Sequence, residues 1–473
     1  MIAISDAFRN ELNQSVRRPG HCKITIWMKN NLTYMVIDEY YIQSATVHFS
    51  RDVLSRSIPI EECTIVLNDF GHLWDPYNPN AHHDYMIAGC QVKIQFGIET
   101  ENDTEWCESN GLFYLKSAPV WKNYTATFQC ISKIERMTGK FTHFPADATD
   151  LNYLMSCINT QAIQDGNAFG EYYADARMEN IPVINRARLM DVTQKDAVLA
   201  VAFAANSGIR AATSPYSLDV RDFWDTNPER NPAIVLANDM YELPSAETIP
   251  KIRREIVQYY RDRTGGSQIT AIDASGNVNV SSLSDPLVFK LTDAIVASTF
   301  VLSTQTNIAS ITYDVYKQYL EITSLTRTDN SQPWRIVGTA TKADPTTERA
   351  TFGIDSTNGT DDEQIDSPLL NASNARTVAL MRGNYLSRTR TKYQFNYRGD
   401  PSIEPYDIIR VELPFVGVQS CFVLESIFKF ENGFSGTLTV RKIDNPSNSQ
   451  LFITSESDEA VSDYAVSDET DSD

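Results

Sequence analysis

Residues 397–411 (YRGDPSIEPYDIIRV) constrain this chain more than any other stretch, because they must turn a corner between two β-strands. Gly399 can take a positive φ without a Cβ clash. Asp400 can bond its own backbone two residues on, while Pro401 fixes φ and forces Asp400 extended. Glu404, Pro405, Tyr406 and Asp407 read as a second turn, with proline at its usual second position. Residues 391–397 form a β-rich run before the corner. After it, Ile408, Arg410 and Glu412 alternate with Ile409, Val411 and Leu413, the pattern of a half-buried strand. The residues assigned to this structural motif are Arg398, Gly399, Asp400, Pro401, Glu404 and Asp407.

Arg398-Gly399-Asp400 also spells an integrin-binding tripeptide. Three matching residues carry little information in a chain of 473, and no secretion signal precedes them, so the structural corner is the stronger reading.

Taken in order, the chain reads as β-rich. Residues 5–16 form a short amphipathic helix with Phe8 and Leu12 on one face. Runs 22–28 and 32–37 flank Lys29-Asn30-Asn31 as a hairpin, and 44–49, 58–67, 90–96, 111–117 and 124–134 continue the strand pattern. Between them, 68–80 is a loop dense in turn formers. Residues 150–163 have helical period, and Thr193 opens a second helix with body 197–205 and cap Asn206-Ser207-Gly208. Residues 210–250 are a polar connection. Beyond it we expect a strand ending at 256–260, a hairpin over 269–280, a helix over 292–302, strands at 319–326 and 334–341, and an acidic loop over 355–366. A helix over 374–386 precedes the corner. Residues 420–430 and 433–443 form a final hairpin around Asn432-Gly433. Residues 445–473 have too little to bury to offset the entropy of ordering them.

Two stretches resemble one known family. A helix, a strand ending Arg398-Gly399-Asp400-Pro401, then Ile403-Glu404, Asp407 and a further strand resemble the last domain of bacteriophage tail-hub (baseplate-hub or tail-tip) proteins. Those corners commonly carry Gly before the Asp; here that position is Tyr406, so the second turn is expected to use a different conformation. Near the other end, Leu67-Asn68-Asp69, an aromatic loop with proline and the strand Gly89-x-x-Val92-x-Ile94 are similar to the first β-domain of the same family. The resemblance implies an α+β, β-rich fold of two β-barrel-like domains with a middle α/β region. It places a first barrel-like domain over 1–145, a middle region and connection over 146–250, a second β-rich domain with two helices over 251–444, and an acidic disordered tail over 445–473. It further implies a homotrimeric structural protein of the virion. Such a protein would close the tail tube and join distal-tail or tail-tube proteins to tail fibre or spike proteins for host attachment, after synthesis in the host bacterial cytoplasm. The alternatives are a tail-associated carbohydrate-binding or hydrolytic protein and, behind that, an adhesin.

Composition narrows the classes. Lys and Arg number 41 against 61 Asp and Glu, a net charge of −20, which argues against nucleic-acid recognition through a broad basic surface. No apolar leader opens the chain, and no run approaches the length of a membrane span. Seven cysteines form no CxxC pair and read as reduced, mostly buried thiols. No nucleophile elbow, phosphate loop, dinucleotide fingerprint or HExxH motif occurs, so we expect no catalytic residues, no cofactor and no enzyme activity. His82-His83-Asp84 is a weak metal candidate, since neighbours on an extended chain point apart. The 355–366 loop lacks the EF-hand order. Glu61-Glu62 and Asp361-Asp362-Glu363 read as solvated surface.

Overall fold

The computed structural model describes residues 2, 4–14, 20–28, 33–52, 54, 56–101, 103–107, 112–141, 150–164, 173–174, 176–181, 189, 192–210, 219–221, 233–250, 252, 254–274, 287–290, 301–303, 308–315, 319–327, 334–352, 363–366, 369–370, 372–386, 390–413, 415–443 and 453–457.

Helix α1 (Asp6–Gln14) is capped by Ser5, whose hydroxyl accepts from the Phe8 N–H at 3.0 Å, and it buries Phe8 and Leu12 one turn apart. Nine strands follow: β1 (Gly20–Trp27), β2 (Tyr34–Ile37), β3 (Ile42–Ser50), β4 (Ile60–Asn68), β5 (Gln91–Glu99), β6 (Thr104–Trp106), β7 (Leu112–Leu115), β8 (Val120–Lys122) and β9 (Thr125–Ile131). Alternation decides which face of each turns inward. In β3, Ala45, Val47 and Phe49 are buried; in β5, Val92, Ile94, Phe96 and Ile98 are.

Helices α2 (Leu151–Gln164) and α3 (Gln194–Ala204) then pack together through Leu151, Leu154, Met155 and Ile158 on one side and Ala197, Val198 and Val201 on the other. Thr193 caps α3, its hydroxyl accepting from the Asp196 N–H at 3.2 Å. The left-handed residue that ends the helix is Asn206 (φ 51°), not Gly208. Short strands β10 (Tyr173–Ala174), β11 (Gly208–Arg210) and β12 (Asp219–Arg221) make a small sheet in the order β10-β12-β11.

The connection expected over 210–250 is partly strand. β13 (Ile234–Val235) and β14 (Ser245–Ile249) both join the sheet of the last β-unit. β15 (Arg254–Ala274) runs through the start of the hairpin expected at 269; residues 275–280 lie outside the described residues. β16 (Leu287–Lys290), β17 (Val301–Ser303), β18 (Ile308–Val315), β19 (Tyr319–Arg327), β20 (Trp334–Phe352) and β21 (Glu363–Asp366) complete this region. The helix expected over 292–302 is corrected at its end: Val301 and Leu302 pair with β20, where β-branched Val and Thr neighbours favour extension. Most of that expected helix, and residues 355–362 of the acidic loop, lie outside the described residues. Glu363 and Asp366, expected in the loop, bound β21 alongside β15.

Helix α4 (Ala372–Leu386) leads to β22 (Arg390–Tyr397), β23 (Ile408–Leu413), β24 (Gly417–Phe430) and β25 (Phe434–Lys442), the last two joined through Asn432 (φ 54°) and Gly433 (φ 144°). In the tail, β26 (Ile453–Ser457) pairs with β20, whose open edge can accept an extended segment; the rest of the tail lies outside the described residues.

The largest sheet runs β14-β22-β25-β24-β3-β4-β9-β7-β5-β1-β2, so strands from both ends of the chain belong to one sheet. Among the described residues no helix is long and apolar enough to cross a membrane. Six of the seven cysteines are buried and Cys157 is half-buried.

Candidate functional site

β24 is shared between two β-units. One of its edges holds β25 from Cys421 to Phe430. The other holds β23 first, Gly417 to Phe422 against Leu413 to Ile408, and then β3, Glu425 to Phe430 against Ser50 to Ala45. The change of partner falls at two residues. Val423 exchanges backbone bonds with the corner, donating to the Asp407 carbonyl and accepting from the Tyr406 N–H, both at 2.9 Å. The next carbonyl, Leu424, accepts from the Arg51 N–H at 3.2 Å. Residues 398–407 therefore fill the wedge where β23 and β3 diverge.

The first turn is built locally. Gly399 has φ 77°, and a Cβ there would lie 3.0 Å from the backbone of Ser435. The Asp400 carboxylate accepts from the Ser402 N–H at 2.9 Å and the Ser402 hydroxyl at 2.7 Å. It also pairs with Arg9 of α1, whose guanidinium reaches the Ser402 hydroxyl at 2.8 Å. The buried Tyr397 hydroxyl accepts from the Asp400 N–H at 3.0 Å. Arg398 pairs with Asp239 at 3.4 Å. Asp400 is only 7% exposed, so the Arg-Gly-Asp tripeptide is not displayed for a receptor.

The second turn corrects the sequence expectation. Tyr406 itself takes the left-handed conformation, φ 79°, that glycine would supply. Its hydroxyl donates to the Asp52 carbonyl at 3.3 Å, its ring lies 5.6 Å from the Arg51 guanidinium, and it meets Phe422 edge-on at 6.0 Å. Burial raises the phenol far above its ordinary range. The Asp407 carboxylate closes the turn, accepting from the Glu404 N–H at 2.7 Å. Burial pushes the Asp407 carboxyl up to about 7, and the neighbouring Glu404 carboxylate pushes the same way. Glu404 is itself buried and accepts from Arg210 of β11 at 3.4 Å.

Arg51 joins the pieces. Its guanidinium donates to Glu61 at 2.7 and 3.1 Å and to the Pro405 carbonyl at 3.0 Å, and both side chains of the pair are fully buried. Glu61 is thus not solvated surface as expected, although Glu62 is exposed. The signal was present: Glu61 is in phase with Cys63, Ile65 and Leu67, the buried face of β4. A second buried pair ties the same loop to the helical region. Arg382 of α4 donates to Glu255 at 2.8 Å and to the Leu54 carbonyl at 2.6 Å. No local pattern marks Arg9, Arg51 or Arg210, which reach the corner from distant segments.

The aromatic loop after β4 is organised by Asp69. Its carboxylate accepts from the N–H groups of Leu73 and Trp74 and from the indole of Trp121, at 2.7 to 3.0 Å. Asp75 accepts from the Tyr77 N–H and His72, both of which hold its carboxyl below the usual range. His82 lies against the Trp74 ring at 5.8 Å and His83 beside Asp84 at 3.5 Å. Among the described residues no group of three His, Cys, Asp or Glu side chains could hold a metal ion.

No protein-family model matches the sequence, and no curated protein matches it. Solved structures that this chain is similar to include the 43 kDa tail protein of prophage MuSo2 from Shewanella oneidensis, at 9% identity and TM-score 0.44 over 89% of this chain and 98% of that one. A tail protein from Neisseria meningitidis MC58 shares 7% identity at TM-score 0.46 over 89% and 97%. Prophage tail protein gp18 from Listeria monocytogenes EGD-e shares 6% at TM-score 0.44 over 88% and 94%. All three of these structures are tail proteins, two of them named as prophage proteins.

Proposed function

We propose that this chain is a structural hub protein of a phage tail tip or baseplate, a virion component without catalytic activity. In this reading two β-barrel-like units, one built on β1–β9 and one on β22–β25, sit in a homotrimeric ring. The ring closes the tail tube and connects it to distal tail-tip or receptor-binding proteins. The observation that carries the reading is the shared strand. β24 serves both units, and the buried Arg51–Glu61 pair and the corner fix their relative orientation. A protein whose role is to hold partners in fixed register benefits from such a joint, whereas hinged domains would not transmit it. The two ends of the large sheet, β14 and β2, each pair on one side only among the described residues. Such edges need covering, and closed cyclic symmetry covers them without open-ended growth.

Imaging of the assembled particle tests the proposal. Three copies around the tail axis, each giving two β-units to one ring, is the expected result. Six copies in a ring, or one copy off-axis on a fibre, overturns it.

A further inference from the structure

None of the seven cysteines is in a disulfide, but two of them face each other. β4 and β9 are antiparallel with Cys63 directly opposite Cys130. The phase of that ladder follows from its ends: the Ser132 N–H donates to the Glu61 carbonyl at 2.9 Å and the Asp69 N–H to the Tyr124 carbonyl at 2.7 Å. Hydrogen-bonded pairs recur at every second position. Cys63 and Cys130, two residues along from Glu61 and Ser132, are therefore such a pair, with Cα atoms about 5.5 Å apart. Disulfides favour a Cα spacing of about 5.5–6 Å. Both side chains point into the core beside Ile65 and Phe128.

We propose that Cys63 and Cys130 are a modification site, forming a reversible cross-strand disulfide with a small-molecule disulfide such as oxidised glutathione. The Cys63 thiolate attacks one sulfur of the small disulfide, giving a mixed disulfide and expelling one thiolate. The Cys130 thiolate then attacks the Cys63 sulfur and expels the second. Two protein thiols are oxidised, one small disulfide is reduced to two thiols, and two protons are redistributed. Cβ atoms across a hydrogen-bonded pair lie about 5 Å apart, wider than the roughly 3.8 Å of a relaxed disulfide. The strands must draw together, so the bond is strained and readily reduced. The neighbouring Cys130 thiol and then burial hold the Cys63 thiol well above its ordinary range, so in the folded chain the thiolate is scarce and reaction is slow. Cys22 of β1 lies near enough to act on Cys63 electrostatically and is the competing partner, but it is not opposite it in the ladder.

The test is to refold the full chain from denaturant in a glutathione redox buffer, which gives both thiols access to the oxidant. The expected product folds cooperatively and carries two fewer free thiols than the reduced chain. It yields one linked peptide containing Cys63 and Cys130, and mild dithiothreitol restores all thiols. Cys22→Ser should keep that link and Cys130→Ser should abolish it. Seven free thiols after refolding, a link through Cys22, or a linked product that no longer melts cooperatively overturns the proposal.

Discussion

The corner contains two turns that face the same backbone problem and answer it with different residues. At the first, Gly399 takes φ 77°; at the second, Tyr406 takes φ 79°. Glycine enters that region at no steric cost, whereas a bulky residue held there costs on the order of 1–3 kcal/mol. The first turn is therefore specified by local chemistry: Gly399, the Asp400 carboxylate on Ser402, and Pro401. The second is held from outside, by Arg51 against the ring, Asp52 on the hydroxyl and Val423 on the backbone. A turn can thus carry the wrong residue for its conformation when tertiary contacts outweigh the strain.

Removing the external support should have the largest effect. Arg51→Ala strips the Pro405 carbonyl of its donor and leaves Glu61 buried without its partner. We expect a loss of about 3–5 kcal/mol in denaturant unfolding. A loss below about 1 kcal/mol, the scale of a surface pair, would show that the second turn does not depend on it.

Gly399→Val should cost about 2–4 kcal/mol, combining a strained φ with a Cβ pressed on the Ser435 backbone. A variant melting like the parent would mean the first turn relaxes freely.

Tyr406→Gly separates local from tertiary control most sharply. Deleting a buried aromatic ring costs about 3–5 kcal/mol, and relief of the strained φ returns about 1–3 kcal/mol, so a net loss of about 2 kcal/mol is expected. A stabilised variant would show that local conformation governs both turns.

Asp400→Ala removes the acceptor of the Ser402 groups and of Arg9, a loss of about 1–2 kcal/mol by thermal melting. An unchanged midpoint would show that glycine alone makes the first turn.

The smallest effect, reckoned per pH unit, is a slope. The Asp407 carboxyl is raised, so the folded state holds a proton that the unfolded chain releases above the ordinary carboxyl range near 3.8. The stability this contributes is full below that value and is lost as pH rises through about 7, on the order of 1 kcal/mol per pH unit. Asp407→Asn keeps an acceptor for the Glu404 N–H and should lack that slope. Parallel stability curves for parent and variant between pH 4 and 7 would remove Asp407 from this role.

Much of the fold was legible because it follows from short-range patterns. Alternation marked β3, β4, β5 and β23, helical period marked α2, and Asn432-Gly433 marked the final hairpin. Each rule acts within a few residues, so a single segment suffices to read it. Glu61 lies at the boundary: its charge argued for the surface, while its phase with Cys63 and Ile65 argued for the interior, and the phase prevailed. The end of the expected helix over 292–302 went the other way, since pairing with β20 draws Val301 and Leu302 into a strand.

By itself, then, the sequence determined a β-rich chain with a glycine-aspartate-proline corner, because steric limits on φ and the two-residue period of a strand are properties of neighbouring residues. Only the tertiary structure decided that β24 divides its edge between β23 and β3, that Arg51 is buried between Glu61 and Pro405, and that Tyr406 stands where glycine would serve. Those outcomes depend on groups more than three hundred residues apart meeting at one place. Burial and hydrogen bonding there offset a local strain that no short stretch of sequence reveals.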